Sequence, residues 1–98
     1  MNRRAEDVAD RPSGSAVALR YHGSGAPRVT ASGHGETAQR IVEIAEAHRV
    51  PTRRDEELAM LLAQVPLGEE IPEALYVAVA QVLVYAYEAS GGGIPGRD

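Results

Sequence analysis

Arg11-Pro12-Ser13-Gly14-Ser15-Ala16-Val17-Ala18-Leu19-Arg20-Tyr21 is the stretch that decides the fold. Its second half alternates, with Val17, Leu19 and Tyr21 on one face of an extended chain and Ala16, Ala18 and Arg20 on the other. That period predicts a central strand over 16–21. The first half ends a polar run, residues 1–15, whose composition buries too little apolar surface to order itself. A mobile arm is therefore expected before the strand.

Downstream, His22-Gly-Ser-Gly-Ala-Pro27 reads as a turn or loop, and Arg28 to Ser32 alternates again with Val29 and Ala31 inward, which predicts a hairpin. After Gly33-His34-Gly35 the period changes. Ala38, Ile41, Val42, Ala45 and His48 recur at helical spacing, with Ile44 widening the stripe and Glu36, Arg40, Glu43 and Glu46 facing water. Val50-Pro51 is expected to stop this helix. Thr52-Arg53-Arg54 then suits a short edge strand, since proline and arginines discourage further pairing. Asp55 is a good N-cap for a second helix carrying Leu58, Leu61, Leu62 and Val65. Pro66 to Ile71 reads as a connector, and Pro72 opens a last helix running to about Ser90. One stripe of that helix holds Leu75, Val79, Val82, Leu83 and Ala86. Tyr76, Val77, Val84 and Tyr87 lie elsewhere on it, so it is packed on more than one side or offers a surface to a partner. Gly91-Gly92-Gly93 ends it, and 91–98 are expected to form a disordered tail.

The chain has 98 residues, which fits one small domain. It has no cysteine and three histidines, so disulfide and thiolate chemistry are excluded and a metal site would need carboxylates. Ten basic against fourteen acidic side chains give a formal charge of -4, which offers no general attraction to nucleic acid. The first residues lack the apolar core of a secretory signal. The longest nearly apolar stretch, Ala74 to Tyr87, falls short of the roughly 20 residues that cross a bilayer. A cytoplasmic protein without direct membrane insertion is expected.

The order of several blocks resembles the cytoplasmic domain of the FlhB/YscU family, the switch proteins of flagellar and virulence type III export. Ala16 to Tyr21 is close to the family's Tyr-Ala-Val-Ala-Leu-Lys-Tyr run. Ala26-Pro-Arg-Val29 follows, then Gly33-His-Gly-Glu36 leading into Ala38 to Ala45, Arg49-Val-Pro51, and Asp55 to Ala59. The most specific block is Gly68-Glu-Glu-Ile-Pro-Glu-Ala-Leu-Tyr76 with Ala78-Val-Ala80 and Val84-Tyr85. The resemblance covers about Arg11 to Tyr87. It implies an α/β fold, a single small domain over 16–90 whose mixed sheet of about four strands is surrounded by helices. In relatives the residues before the cleavage motif form one strand. Here Ala5 to Asp10 has only Val8 as a strand former, so either the arm folds back to supply that strand or a membrane FlhB lends one by β-addition.

Relatives carry Asn-Pro-Thr-His and break the Asn–Pro bond when the Asn side-chain nitrogen attacks its own backbone carbonyl. At the matching place stand Arg11, Pro12, Ser13 and Gly14. A protonated guanidinium on a long stem cannot close the five-membered ring that the amide does, and the imidazole is gone as well. The expectation is a chain that stays intact and has no enzymatic activity. Ser13 or Ser15 with His22 or His34 forms no recognisable nucleophile motif, and a small hydrolase is not favoured. Gly33-His34-Gly35 lacks the rest of a phosphate-binding fingerprint and reads as a helix-entry turn. His48 is explained by packing and the helix dipole. No cofactor or metal is expected.

The resemblance implies work by binding, in protein export or in the switch of substrate specificity. The implied partners are the export gate's cytoplasmic parts, a membrane FlhB that would recruit the chain to the inner face of the membrane, and export substrates. A regulator or decoy that binds the switch and inhibits it needs the same surface. The candidate contact residues are Arg53 and Arg54, for an acidic partner, and Tyr76 and Tyr87 on the last helix. At this stage the tyrosines fit a buried core equally well.

Overall fold

A computed structural model describes residues 14–89. The expected arm up to Ser13, the alternative origins of a first strand, and the expected tail lie outside the described residues. Strand β1 is Ser15–Arg20 and β2 is Arg28–His34, paired antiparallel as the expected hairpin. β1 begins one residue before the predicted strand, and Tyr21 lies beyond its end. The ladder runs from Ser15 opposite His34 to Arg20 opposite Arg28, with a shift between Ala18 and Leu19. Thr30 is the extra residue there, and its hydroxyl donates to the Ala18 carbonyl at 3.3 Å. Such a bulge bends the strand and sharpens its twist.

A second segment lies along the other edge of β2. Val29 donates to Glu69 O at 3.1 Å, Gly68 donates to Val29 O at 2.7 Å, and Ile71 donates to Pro27 O at 2.9 Å. Arg28 and Glu70 form an isolated antiparallel bridge, reinforced by an Arg28–Glu70 ion pair at 3.3 Å. Among the described residues the sheet thus has two strands and this single bridge, part of the four-stranded sheet expected. Residues 52–54 carry no ladder, which corrects the expected edge strand. Pro51 lacks a donor, and Asp55 is committed to capping the following helix.

Helix α1 is Glu36–Ala47, entered through Gly35 at φ 63, where a side chain would be strained. β2 runs two residues past the expected Ser32 because Gly33 sits directly under α1: a Cβ there would run into Thr37. The stripe on α1 is narrower than the period suggested. Ala38 is buried and Ile41 and Ala45 half-buried, whereas Val42, Ile44 and His48 are exposed. His48 therefore does not pack. Its Nδ1 lies 2.9 Å from the Ile44 carbonyl oxygen, which also accepts from the His48 backbone amide at 3.1 Å.

The helix stops before Pro51 acts, because Val50 donates to Ala45 O at 2.8 Å and Arg49 donates to Glu46 O at 3.1 Å. This is a Schellman ending, with Arg49 at φ 59 in the place that glycine prefers. Arg49→Gly is accordingly expected to stabilise the domain by about 1 kcal/mol, read as a raised Tm in thermal unfolding.

Helix α2 is Glu56–Leu62, capped as expected by Asp55, whose Oδ1 accepts from the Leu58 amide at 3.1 Å. Leu58 and Leu62 are buried and Leu61 is exposed. A 3-10 turn, Glu73–Leu75, follows Pro72 and leads into helix α3, Tyr76–Ala89. The core gathers Val29, Leu58, Leu62, Ile71 and Val79, with Val17, Leu19, Val82 and Leu83 packed against it. The large face of β1 thus meets α2 and α3, while its alanine face lies on the α1 side. Among the described residues no helix is long and apolar enough to cross a membrane.

Candidate docking cleft

α3 is apolar almost all round, and one side of it closes the core through Val79, with Val82 and Leu83 packed against the cluster. Three residues on a neighbouring side, Tyr76, Ala80 and Val84, succeed one another at helical spacing of four, so they form one ridge. Opposite stands the hairpin loop, with Tyr21, Gly25, Ala26 and Pro27. Between ridge and loop lies an open cleft of about 270 Å³, floored by Ile71, Val79 and Leu83. The loop is held there because Pro27 O accepts from Ile71 N, while Arg28 donates to Gly68 O at 2.9 Å. Among the described residues no charged side chain lines the cleft, and its polar side-chain groups are two tyrosine hydroxyls. Its volume lies just under the usual range for small-molecule pockets, about 300–1,000 Å³. It suits one or two apolar side chains of a peptide better than a whole ligand.

The residues singled out in the sequence do not form one site. Tyr76 belongs to the cleft rim and is 44% exposed. Arg53 instead stacks on a tyrosine that sequence reasoning did not select: its guanidinium carbon lies 5.0 Å from the centroid of the Tyr85 ring. Arg54 points to Glu56 at 3.9 Å, with both side chains largely in water, so the pair adds little. Tyr87 falls on α3, with its side chain outside the described set. Tyr21, Ala26, Pro27 and Ala80 were visible only as parts of blocks. Nothing local marks residues fifty positions apart as facing each other.

At the other end of β1 lies the place that corresponds to the cleavage motif. Arg11, Pro12 and Ser13 are outside the described residues. Gly14 is anchored, since its carbonyl accepts from Gly35 N at 3.0 Å, and open space surrounds the direction its side chain would take. Ser15 Oγ and His34 Nδ1 are 3.4 Å apart on an exposed edge. Among the described residues no carboxylate hydrogen-bonds that imidazole. Among them, too, no cluster of three His, Asp or Glu could hold a metal ion.

The chain matches the FlhB HrpN YscU SpaS family over residues 3–86. It is 38% identical over 100 residues to the flagellar biosynthetic protein FlhB of Yersinia enterocolitica, covering 94% of this chain and 26% of that protein. The chain thus spans about a quarter of the FlhB relatives it matches. It is also 38% identical over 79 residues to the uncharacterized protein YlqH of Bacillus subtilis, covering 79% of this chain and 85% of that one. Among solved structures, the cytoplasmic domain of FlhB from Shewanella putrefaciens superposes with a TM-score of 0.68 at 30% identity, over 90% of this chain and 78% of that one.

Proposed function

This chain belongs to the FlhB HrpN YscU SpaS family of export-apparatus proteins, and from that premise we propose that it is a non-cleaving component of type III protein export that works by binding. The observation that carries the reading is the apolar cleft between the hairpin loop and α3. An apolar lining whose rim residues Tyr76 and Val84 stand exposed to water gains most by receiving apolar side chains from another segment. An extended or helical peptide from an export partner supplies them, and Tyr76 at the rim is the aromatic anchor. The partners are the cytoplasmic parts of the export gate, a membrane FlhB, or the exported subunits, met at the cytoplasmic face of the membrane.

Arg11-Pro12-Ser13-Gly14 in place of Asn-Pro-Thr-His leaves the domain in its uncut form. Relatives alter this loop when they cleave, so this chain would hold one state of the switch and act in choosing what is exported. The same substitution favours a second reading, a decoy that occupies partners and inhibits the switch.

Tyr76→Asp tests the cleft. The variant is expected to bind the purified export-gate domain or early export substrates at least about tenfold more weakly than the unaltered chain, with its Tm unchanged, because Tyr76 is outside the core. Equal binding by both proteins in isothermal titration would remove the cleft from the account.

A further inference from the structure

We propose that a second groove, between the end of α2 and the connector that follows it, docks a cationic and apolar protein segment: leucine-like side chains next to an arginine. The groove shares no lining residue with the cleft beside α3, so it is a separate surface.

Leu61, Val65, Pro66, Pro72 and Leu75 give the groove apolar walls around about 430 Å³, and Glu69 and Glu70 stand on it. The carboxylate side is fixed in advance. Gly68 and Glu69 are tied to Val29 and Ile71 to Pro27 through the backbone, and Arg28 donates to Gly68 O at 2.9 Å. A partner therefore meets a wall that needs no further ordering, which lowers the cost of association. Leu61 is 46% exposed at the groove, while Leu58 and Leu62 on the same helix fill the core, so an incoming apolar side chain removes Leu61 from water.

The sign of the partner follows from the charges. Residues 55–89 carry seven carboxylates and no arginine, lysine or histidine, whereas residues 14–54 carry six arginines against three glutamates. Four of the seven carboxylates lie on or beside the groove. Glu69 and Glu70 line it, Glu73 follows Pro72, and Glu57 precedes Leu61 by four positions on the same face of α2. Arg28 offsets Glu70 at 3.3 Å, but among the described residues Glu57, Glu69 and Glu73 have no such partner. A negative potential over apolar walls repels nucleic acid and anionic lipid and steers arginine or lysine inward. The apolar walls gain nothing from a bare cation. They favour a segment whose charge sits on an apolar stem beside other apolar side chains.

Amide nitrogen–proton spectra of the full chain, titrated with a blocked Leu-Arg-Leu-Arg-Leu peptide and with Leu-Glu-Leu-Glu-Leu, test the proposal. The arginine peptide is expected to move the signals of Leu61, Gln64, Glu69 and Leu75, and the glutamate peptide to leave them in place. Salt at about 0.5 M should weaken the binding severalfold, because ion pairs at an open groove are screened. Glu69→Lys should weaken it about fivefold or more and Leu61→Ala about threefold or more, each with Tm close to that of the unaltered chain. Tyr76→Asp should bind the arginine peptide no more weakly than the unaltered chain, so that failure of this inference and failure of the cleft reading are told apart. Equal shifts from the two peptides overturn the proposal. So do shifts confined to Asp55 and Glu88, the mark of a diffuse ion atmosphere, and groove shifts that follow protein concentration without peptide, which would make a second copy the occupant.

Discussion

Chain cleavage between residues 11 and 12 is the expected result of combining Arg11→Asn, Ser13→Thr and Gly14→His. The intact mass should give way to two fragments, the larger beginning at Pro12, while the unaltered chain keeps a single mass under the same conditions. The chemistry follows from ring size: an Asn side-chain nitrogen attacking its own carbonyl closes a five-membered imide and expels the Pro12 nitrogen, which takes up a proton. Arg11 offers no such nitrogen at that distance, and its guanidinium is protonated at any physiological pH. The fold is ready to accept the change at its described end. Gly14 is already fixed by the Gly35 amide at 3.0 Å, and a side chain built at Gly14 meets nothing within 4 Å. Adding Asn→Ala at position 11 of the same variant should abolish the reaction. A triple variant that stays whole would mean that this chain has lost more than the reacting groups.

Leu62→Ala should cost about 2–5 kcal/mol, the usual range for emptying a buried leucine. Leu62 is 5% exposed and packs with Val29, Leu58, Ile71 and Val79 at the centre of the only large apolar cluster among the described residues. Domains of this size have about 5–15 kcal/mol in total, so the loss is a large share of it. At about 4–8 °C per kcal/mol, Tm should fall by about 10 °C or more. Its neighbour makes the control. Leu61 is 46% exposed, and Leu61→Ala should stay within about 0.5 kcal/mol. Thermal unfolding of the two single variants separates them, and similar Tm values would contradict the packing described for α2.

The strand–loop–strand start and the three helices were legible because each has its own period or stop signal. Asp55 capped the helix that its side chain predicted, and the 16–21 alternation lost only its last residue. What escaped reading was set by contacts between distant segments. Ile44 and Val42 looked like core residues, but among the described residues the sheet beneath α1 is two strands wide, and the narrow stripe of Ala38, Ile41 and Ala45 faces it. Residues 68–71 gave no strand signal, because their place beside β2 is fixed by hydrogen bonds to Val29 and Pro27 and not by side-chain alternation. Thr52-Arg53-Arg54 looked like an edge strand, yet Arg53 is drawn to the Tyr85 ring. The cleft was half legible. Tyr76 was selected as an exposed aromatic, but its partners Tyr21 and Pro27 face it only after the hairpin and α3 are packed together.

Complementation of a cell whose membrane FlhB lacks its cytoplasmic domain tests the central claim most directly. This chain, supplied in trans, is expected to restore filament assembly, and the Tyr76→Asp variant, produced at the same level, is expected not to. Filaments that fail to return with the unaltered chain, or that return equally with Tyr76→Asp, would contradict the account.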